Sequence, residues 1–224
     1  MNDRSARTAS QRFSYRGRER GARRRRILDA AEAVFSARGY HGASITDIAA
    51  RAEFATGTIY LYFSDKADLY GTVILEKMNE VVSRLEAALR SDNSAKACLH
   101  AAVHALFAYH DANRPFFEIF LHQHQLAASP LNERHWKEME DLKRRNLVLI
   151  EDCIRRGQTT RELKAGNPRL YAVAFLGMTL QIIRQWIRER GDGRLTDSAD
   201  FAADCFLHGS ATPRFSGRHQ SPLE

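Results

Sequence analysis

Apolar residues recur at helical spacing along most of the chain, and turn signals cut that pattern into segments. Ile27, Ala31, Val34 and Phe35 mark a first helix running from Arg23 to Arg38, with Gly39 placed as a natural C′ residue. Ser44 followed by Asp47 forms a Ser-x-x-Asp capping arrangement, which opens a second, short helix reaching about Ala52. Thr56 to Phe63 reads as another short helical piece, Ser64 breaks it, and Lys66 begins a long helix to Arg90. Turn signals at Ser91 to Ser94, Asn113 to Pro115, Ser129 and Pro130, Gly157 to Thr160, Gly166 to Pro168 and Gly191 to Gly193 divide the remainder into about six more. Asn167 and Pro168 are an N-cap and N1 pair, and Arg188 to Gly191 closes the same helix with cations and glycine. The expected fold is all-α, with about nine helices.

Two very short helices separated by three or four residues bury little on their own and must lean on the first helix, which is the helix-turn-helix arrangement. In the second of them Ile59 and Phe63 stand four apart and anchor the piece inward. Thr56, Gly57, Thr58, Tyr60 and Tyr62 are left to donate hydrogen bonds or to approach a partner closely. A small helical hairpin with half-buried tyrosines fits the same pattern.

Charge bears on that choice. The chain of 224 residues carries a net charge of +7, but residues 1–26 hold ten arginines against Asp3 and Glu19 and supply +8, leaving the rest at −1. A basic arm on a nearly neutral body suits a polyanion, because arginines near phosphates release condensed counterions without reading sequence. A solvated tail has the same composition. Residues 1–20 lack apolar periodicity and are expected to be disordered when free, and the Gly-, Ser-, Pro- and Arg-rich residues 209–224 are expected to fray as a flexible tail.

Other classes fall away. The basic arm contains no apolar run of secretory type, and the expected location is cytoplasmic. Leu170 to Ile183 is the one stretch that raises a membrane question; at fourteen residues, with Thr179 and Gln181 inside it, it reads as a buried helix. Cys98, Cys153 and Cys205 are widely spaced without a CxxC pair, which fits reduced thiols. The sequence contains no GxSxG, HExxH, P-loop or GxGxxG, so no catalytic residue, enzyme activity or cofactor is expected.

The run RRRILDAAEAVFSARGYHGASITDIAARAEFATGTIYLYFSDKADLY, Arg24 to Tyr70, resembles the DNA-binding domain of the TetR family of bacterial transcriptional regulators. The resemblance implies a three-helix helix-turn-helix domain over residues 21–66, followed by a larger helical ligand-binding and dimerisation domain over 67–208. It further implies a homodimeric repressor on a palindromic double-stranded operator, released by a small-molecule effector. Carried over residue by residue, Thr46 lies where members touch phosphate, while Thr56, Gly57, Thr58, Tyr60 and Tyr62 fall on recognition-helix positions. Lys66 sits at a helix N-terminus, where a phosphate is favoured. Two departures stand out: Glu53 replaces the usual turn glycine and Ala55 a capping serine. The variant ATGTIYLYF is similar to that of members responding to fatty acids or acyl-CoA thioesters.

In the larger domain, Leu99, Val103, Leu106 and Phe107 form one stripe with His110 at its centre, while His100 and His104 lie off it. His124 falls inward among Phe116, Phe117, Phe120 and Leu121, and Asn146 among Trp136, Met139, Leu147, Ile150 and Ile154. These choices outline an apolar pocket built from Phe107, Phe117, Phe120, Trp136, Met139, Phe175 and Met178, with His110, His124 and Asn146 orienting a ligand's polar end. Each of the three polar residues would equally serve as a satisfied core group. His100 and His104 have helical metal-ligand spacing, but no Cys or carboxylate cluster stands beside them in sequence, so no metal site is expected. The helix after Asn167 is apolar on two faces, and Val173, Leu176, Leu180 and Ile187 are assigned to a second subunit. A sequence-independent DNA-packaging protein is the alternative reading of the basic arm.

Overall fold

Ser44 fixes where the second helix begins. Its Oγ accepts the Asp47 N–H at 3.0 Å, and the Asp47 carboxylate accepts the Ser44 N–H at 3.3 Å, the reciprocal cap expected from the sequence. In the computed structural model the described backbone covers residues 3–91, 94–125, 130–189 and 193–210, and side chains are described for 17–91, 94–121, 130–189 and 193–209. Nine α-helices are present among these residues, with no strand: α1 Asp3–Gly42, α2 Ile45–Ala52, α3 Thr56–Tyr60, α4 Lys66–Leu89, α5 Ala95–Ala112, α6 Arg114–Gln125, α7 Glu133–Thr159, α8 Pro168–Glu189 and α9 Ala199–Ser210. A 3-10 turn, Leu195–Ser198, leads into α9.

Several boundaries differ from expectation. Helix α1 starts at Asp3, so the described part of the arm is a helical extension. Alanine and arginine are good helix formers, and once Ile27 to Phe35 is packed, each further residue adds a hydrogen bond without a new nucleus. Gly39 does leave the helix, with φ 68° and ψ 175°, and the kink aims the last turn of α1 elsewhere. Helix α3 ends at Tyr60 instead of Phe63, because the chain tightens: the Tyr62 and Phe63 N–H groups both donate to the Ile59 carbonyl, at 3.0 and 3.1 Å. Gly157 does not end a helix but lies inside α7, where an added Cβ would meet Ala95 at 2.7 Å and Leu163 at 2.8 Å. Of the proposed C-terminal tail, residues 209 and 210 belong to α9 and residues 211–224 lie outside the described residues.

The helices form two compact units, Met1–Glu80 with Asn113–Leu142, and Val81–Ala112 with Lys143–Glu224. The division falls within α4 and α7. Within the first of these units α6 packs against α1, and the Lys77 ammonium of α4 lies 6.0 Å from the centre of the Phe116 ring of α6. In this N-terminal unit Ile27, Ala31, Phe35, Ile48, Ile59, Leu69 and Ile74 are essentially inaccessible. The buried Lys77 ammonium joins α4 to Glu32 of α1 at 2.7 Å and to Asn113, just before α6, at 3.0 Å. His135 at the start of α7 is fully buried, and its ring lies directly over Gly71 of α4.

The C-terminal unit has its core in Leu85, Leu99, Val103, Phe107, Ile150, Ile154 and Phe175, with Phe206 of α9 edge-on to Phe175 at 5.1 Å. Asp111 at the end of α5 accepts the Leu195 and Thr196 N–H groups at 2.7 and 2.9 Å and so orients the turn before α9. Helix α8 is capped by Asn167, whose Oδ1 accepts the Arg169 N–H at 3.0 Å. Among the described residues it is the one helix long and apolar enough to cross a membrane. Ala172, Phe175, Thr179, Ile183 and Ile187 nonetheless bury one of its faces inside the unit.

Candidate nucleic-acid interface and effector unit

The helix-turn-helix places its polar residues by burying their neighbours. Ile59 and Phe63 enter the core at 0% and 3% exposure, which turns Thr56, Gly57 and Tyr60 outward and leaves Thr58 and Tyr62 half-buried. Thr46 is exposed in the first turn of α2. No atom lies within 4 Å of a Cβ added at Gly57, so the backbone there is open to a close-approaching partner. Leu61 is 73% exposed between Tyr60 and Tyr62, a large apolar group outside the expected recognition set. The signal was available: inward anchors at 59 and 63 force the residue midway between them outward.

Both departures from the family pattern have visible consequences. Glu53 takes up the left-handed conformation, φ 58° and ψ 41°, in which glycine would be unstrained. Its N–H caps α2 on the Ala49 and Ala50 carbonyls, and its carboxylate meets Arg26 at 2.7 Å. Ala55 offers α3 no side-chain cap. The Asp47 carboxyl is held below the usual carboxylate range, first by the Ser44 hydroxyl and then by Arg38 at 2.9 Å.

Lys66 makes its contacts within the protein. Its ammonium donates to the carbonyls of Tyr40 and Ala43 at 2.9 and 3.0 Å and lies 4.4 Å from the centre of the Tyr40 ring. The break at Gly39 frees carbonyls at the end of α1, and Lys66 satisfies them, tying that end to the start of α4. Much of the arginine run is likewise engaged within the protein. Arg23 pairs with Glu19, Arg24 and Arg25 both meet Glu76 at 3.1 Å, and Arg26 meets Glu53. Arg20 instead lies 5.8 Å from the Tyr62 ring centre, beside the recognition element.

The residues assigned to an effector pocket are divided between the two units. Phe107, His110, Asn146, Phe175 and Met178 belong to the C-terminal unit; Phe117, Phe120, Trp136 and Met139 belong to the N-terminal one. Phe107, Phe117, Met139 and Phe175 are buried, and Phe120 and Met178 are half-buried. Trp136 is 39% exposed, since the buried stripe of α7 starts one residue earlier, at His135. A glycine inside a helix, Gly71, was the sequence signal for that close approach. The His124 side chain lies outside the described residues. His110 donates from Nδ1 to the Leu106 carbonyl at 2.7 Å, and burial lowers its pKa. The Asn146 Oδ1 is buried with no hydrogen-bond partner among the described residues.

On α8, Val173 and Leu180 are 51% and 43% exposed, and Leu176 is half-buried, as a face awaiting a cover requires. Ile187 is corrected: it is buried, 6% exposed. The buried positions Phe175, Thr179, Ile183 and Ile187 advance four residues at a time, a ridge inclined to the helix axis, so the stripe has rotated onto residue 187 by the last turns. Leu170 on α8 and Phe201 on α9 add to the exposed apolar groups, at 66% and 67%.

A capped helix-turn-helix presenting an open backbone and exposed hydroxyls, joined to an all-helical unit, defines the class of DNA-binding transcriptional regulators. Residues 27–73 match the bacterial regulatory proteins of the tetR family, and residues 92–210 match the tetracyclin repressor-like C-terminal domain. The chain belongs to the TetR family. It is 27% identical to the fatty acid metabolism regulator protein of Bacillus subtilis over 72% of this chain and 81% of that one. It is 31% identical to the HTH-type transcriptional activator FasR of Mycolicibacterium smegmatis, over 75% and 74% of the two chains. Among solved structures, FadR from Bacillus subtilis in complex with stearoyl-CoA superposes with a TM-score of 0.70 at 25% identity, covering 82% of this chain and 97% of that one.

Proposed function

We propose that the chain acts as a cytoplasmic homodimer that binds a palindromic operator and lets go of it when a long-chain acyl-CoA or fatty acid binds. The observation that carries the DNA-binding half is the exposed set Thr46, Thr56, Gly57, Tyr60 and Leu61 over the buried pair Ile59 and Phe63. Threonine hydroxyls and the Gly57 backbone reach base edges and phosphate, the tyrosine hydroxyls bind phosphate, and Leu61 contacts a thymine methyl. Arg18 and Arg20, on the α1 extension, supply charge toward flanking phosphates.

The comparisons support an acyl effector: the Bacillus subtilis relative is a regulator of fatty acid metabolism, and the solved FadR complex from the same organism holds stearoyl-CoA. Within this chain the buried, unpartnered Asn146 oxygen suits a ligand N–H or O–H donor, since leaving such an acceptor unpaired costs about 1–3 kcal/mol. Phe107, Phe175 and Met178 provide the apolar lining of the same unit. The exposed Leu170, Val173, Leu180 and Phe201 support dimerisation through α8 and α9. Lys77, bonded to Glu32 and Asn113, transmits displacement of α4 to α1. A coupling of about 1–3 kcal/mol weakens operator binding roughly 5- to 150-fold.

The test begins by selecting bound sequences from random duplexes and measuring their affinity against scrambled DNA. A preference of about a thousandfold or more identifies a regulator, and equal binding to all duplexes identifies a packaging protein. Stearoyl-CoA added to the selected complex should release it. Because the FasR relative is an activator, a reporter driven by the selected site decides the sign of control.

A further inference from the structure

The fold brings a carboxylate to the histidine pair that the sequence leaves bare. His100 and His104 are four residues apart on α5, and their rings stack with centroids 4.6 Å apart. Asp200, in the first turn of α9, places a single oxygen, Oδ1, 3.1 Å from His100 Nε2 and 2.8 Å from His104 Nε2. All three potential ligand atoms lie within 4.8 Å of one another. From this geometry we propose that His100, His104 and Asp200 form a binding site for a first-row transition-metal dication of the zinc class.

Three features support the site. Zinc bound to imidazole nitrogen and carboxylate oxygen at about 2.0–2.2 Å sets neighbouring ligand atoms about 3.0–3.5 Å apart. The two nitrogen-to-oxygen separations already fall near that range, and a modest rotation of the rings closes the third. Secondly, the backbones are fixed by burial on the opposite sides of the same turns: Leu99, Ala102 and Val103 on α5, and Ala199, Ala202 and Ala203 on α9. The ligands are therefore pre-positioned rather than gathered by the ion. Thirdly, one carboxylate oxygen accepts from both rings only if each Nε2 carries a proton, whereas a dication uses three lone pairs converging on one point. Two nitrogen donors select zinc, cobalt or nickel over magnesium and calcium, which take oxygen ligands. Both histidines and Asp200 reach solvent, so positions remain for water or a further ligand. The ion would cross-link α5 to the beginning of α9.

The untagged full chain is titrated with cobalt chloride alone at neutral pH, following the visible d–d absorption, and zinc chloride is then added in competition. One saturable cobalt ion per chain, displaced by zinc, with a metal-dependent rise in the thermal midpoint, is the expected result. His100→Gln combined with His104→Gln should abolish both signals while leaving the metal-free midpoint in place. Asp200→Asn should weaken binding, and it carries the test should the double variant fail to fold. Cys205→Ser, altering the exposed thiol elsewhere on α9, should change nothing. Absence of saturable cobalt binding, its persistence in the double variant and unchanged affinity in Asp200→Asn, or its loss in Cys205→Ser overturns the assignment.

Discussion

Replacing Gly71 by alanine sets two effects against each other, and the structure decides which wins. In the interior of a helix the change from glycine to alanine ordinarily stabilises by about 0.5–1 kcal/mol. At residue 71 the new methyl would fall 2.3 Å from Nδ1 of His135 and 2.5 Å from Cγ and Cε1. Ordinary van der Waals separation begins at 3.4 Å, so a fully buried ring would have to withdraw by roughly 1 Å. It has little freedom to do so, because the backbone N–H of His135 donates to Asn132 Oδ1 at 3.0 Å and the ring Nε2 faces Arg134 at 2.9 Å. Overpacking of this kind costs typically 1–3 kcal/mol, and the braced ring puts this case in the upper half of that range. Gly71→Ala should therefore destabilise by about 1–2.5 kcal/mol net. Urea unfolding at constant slope gives the value. In the cycle with His135→Ala, Gly71→Ala should turn neutral or stabilising, because the obstructing ring is gone. A stabilised Gly71→Ala protein, or strictly additive effects in the cycle, would refute the clash with His135 as the deciding effect.

Four further outcomes are expected. Gly57→Ala, with open space around its Cβ, should leave folding unharmed and lower operator affinity at least tenfold, about 1.4 kcal/mol, as read by fluorescence anisotropy. Val173→Asp with Leu180→Asp should leave each chain folded and shift sedimentation toward the monomer; an intact dimer would place the interface elsewhere. Burial holds the pKa of both His110 and His135 below their ordinary value near 6.5, so the unfolded chain binds the extra protons. Their contribution to stability is thus present above about pH 6.5 and is lost as the pH falls through the depressed folded-state values, which urea midpoints at neutral and acid pH will display. Removing residues 1–20 should flatten the salt dependence of DNA binding by about 0.9 in logarithmic slope for each phosphate that is no longer neutralised, and an unchanged slope would show the extension idle.

Whatever depends on neighbours a few residues apart was already legible in the order of residues along the chain. The capping box at Ser44 and Asp47, the inward anchors Ile59 and Phe63, the break at Gly39, the Asn167 cap and the inward placing of His110 are all local consequences of helical period and side-chain type. Family membership was legible for the same reason, since Arg24 to Tyr70 is one contiguous run. Tertiary structure alone decided which groups meet across the chain. It brought the Lys66 ammonium to the end of α1, gave Arg24 and Arg25 a carboxylate in Glu76, and put His135 rather than Trp136 into the core over Gly71. It also delivered Asp200 to His104, ninety-six residues away. Periodicity specifies the direction in which a side chain leaves its own helix, whereas the identity of its partner depends on how separate helices cross, and that is set by packing of the whole unit.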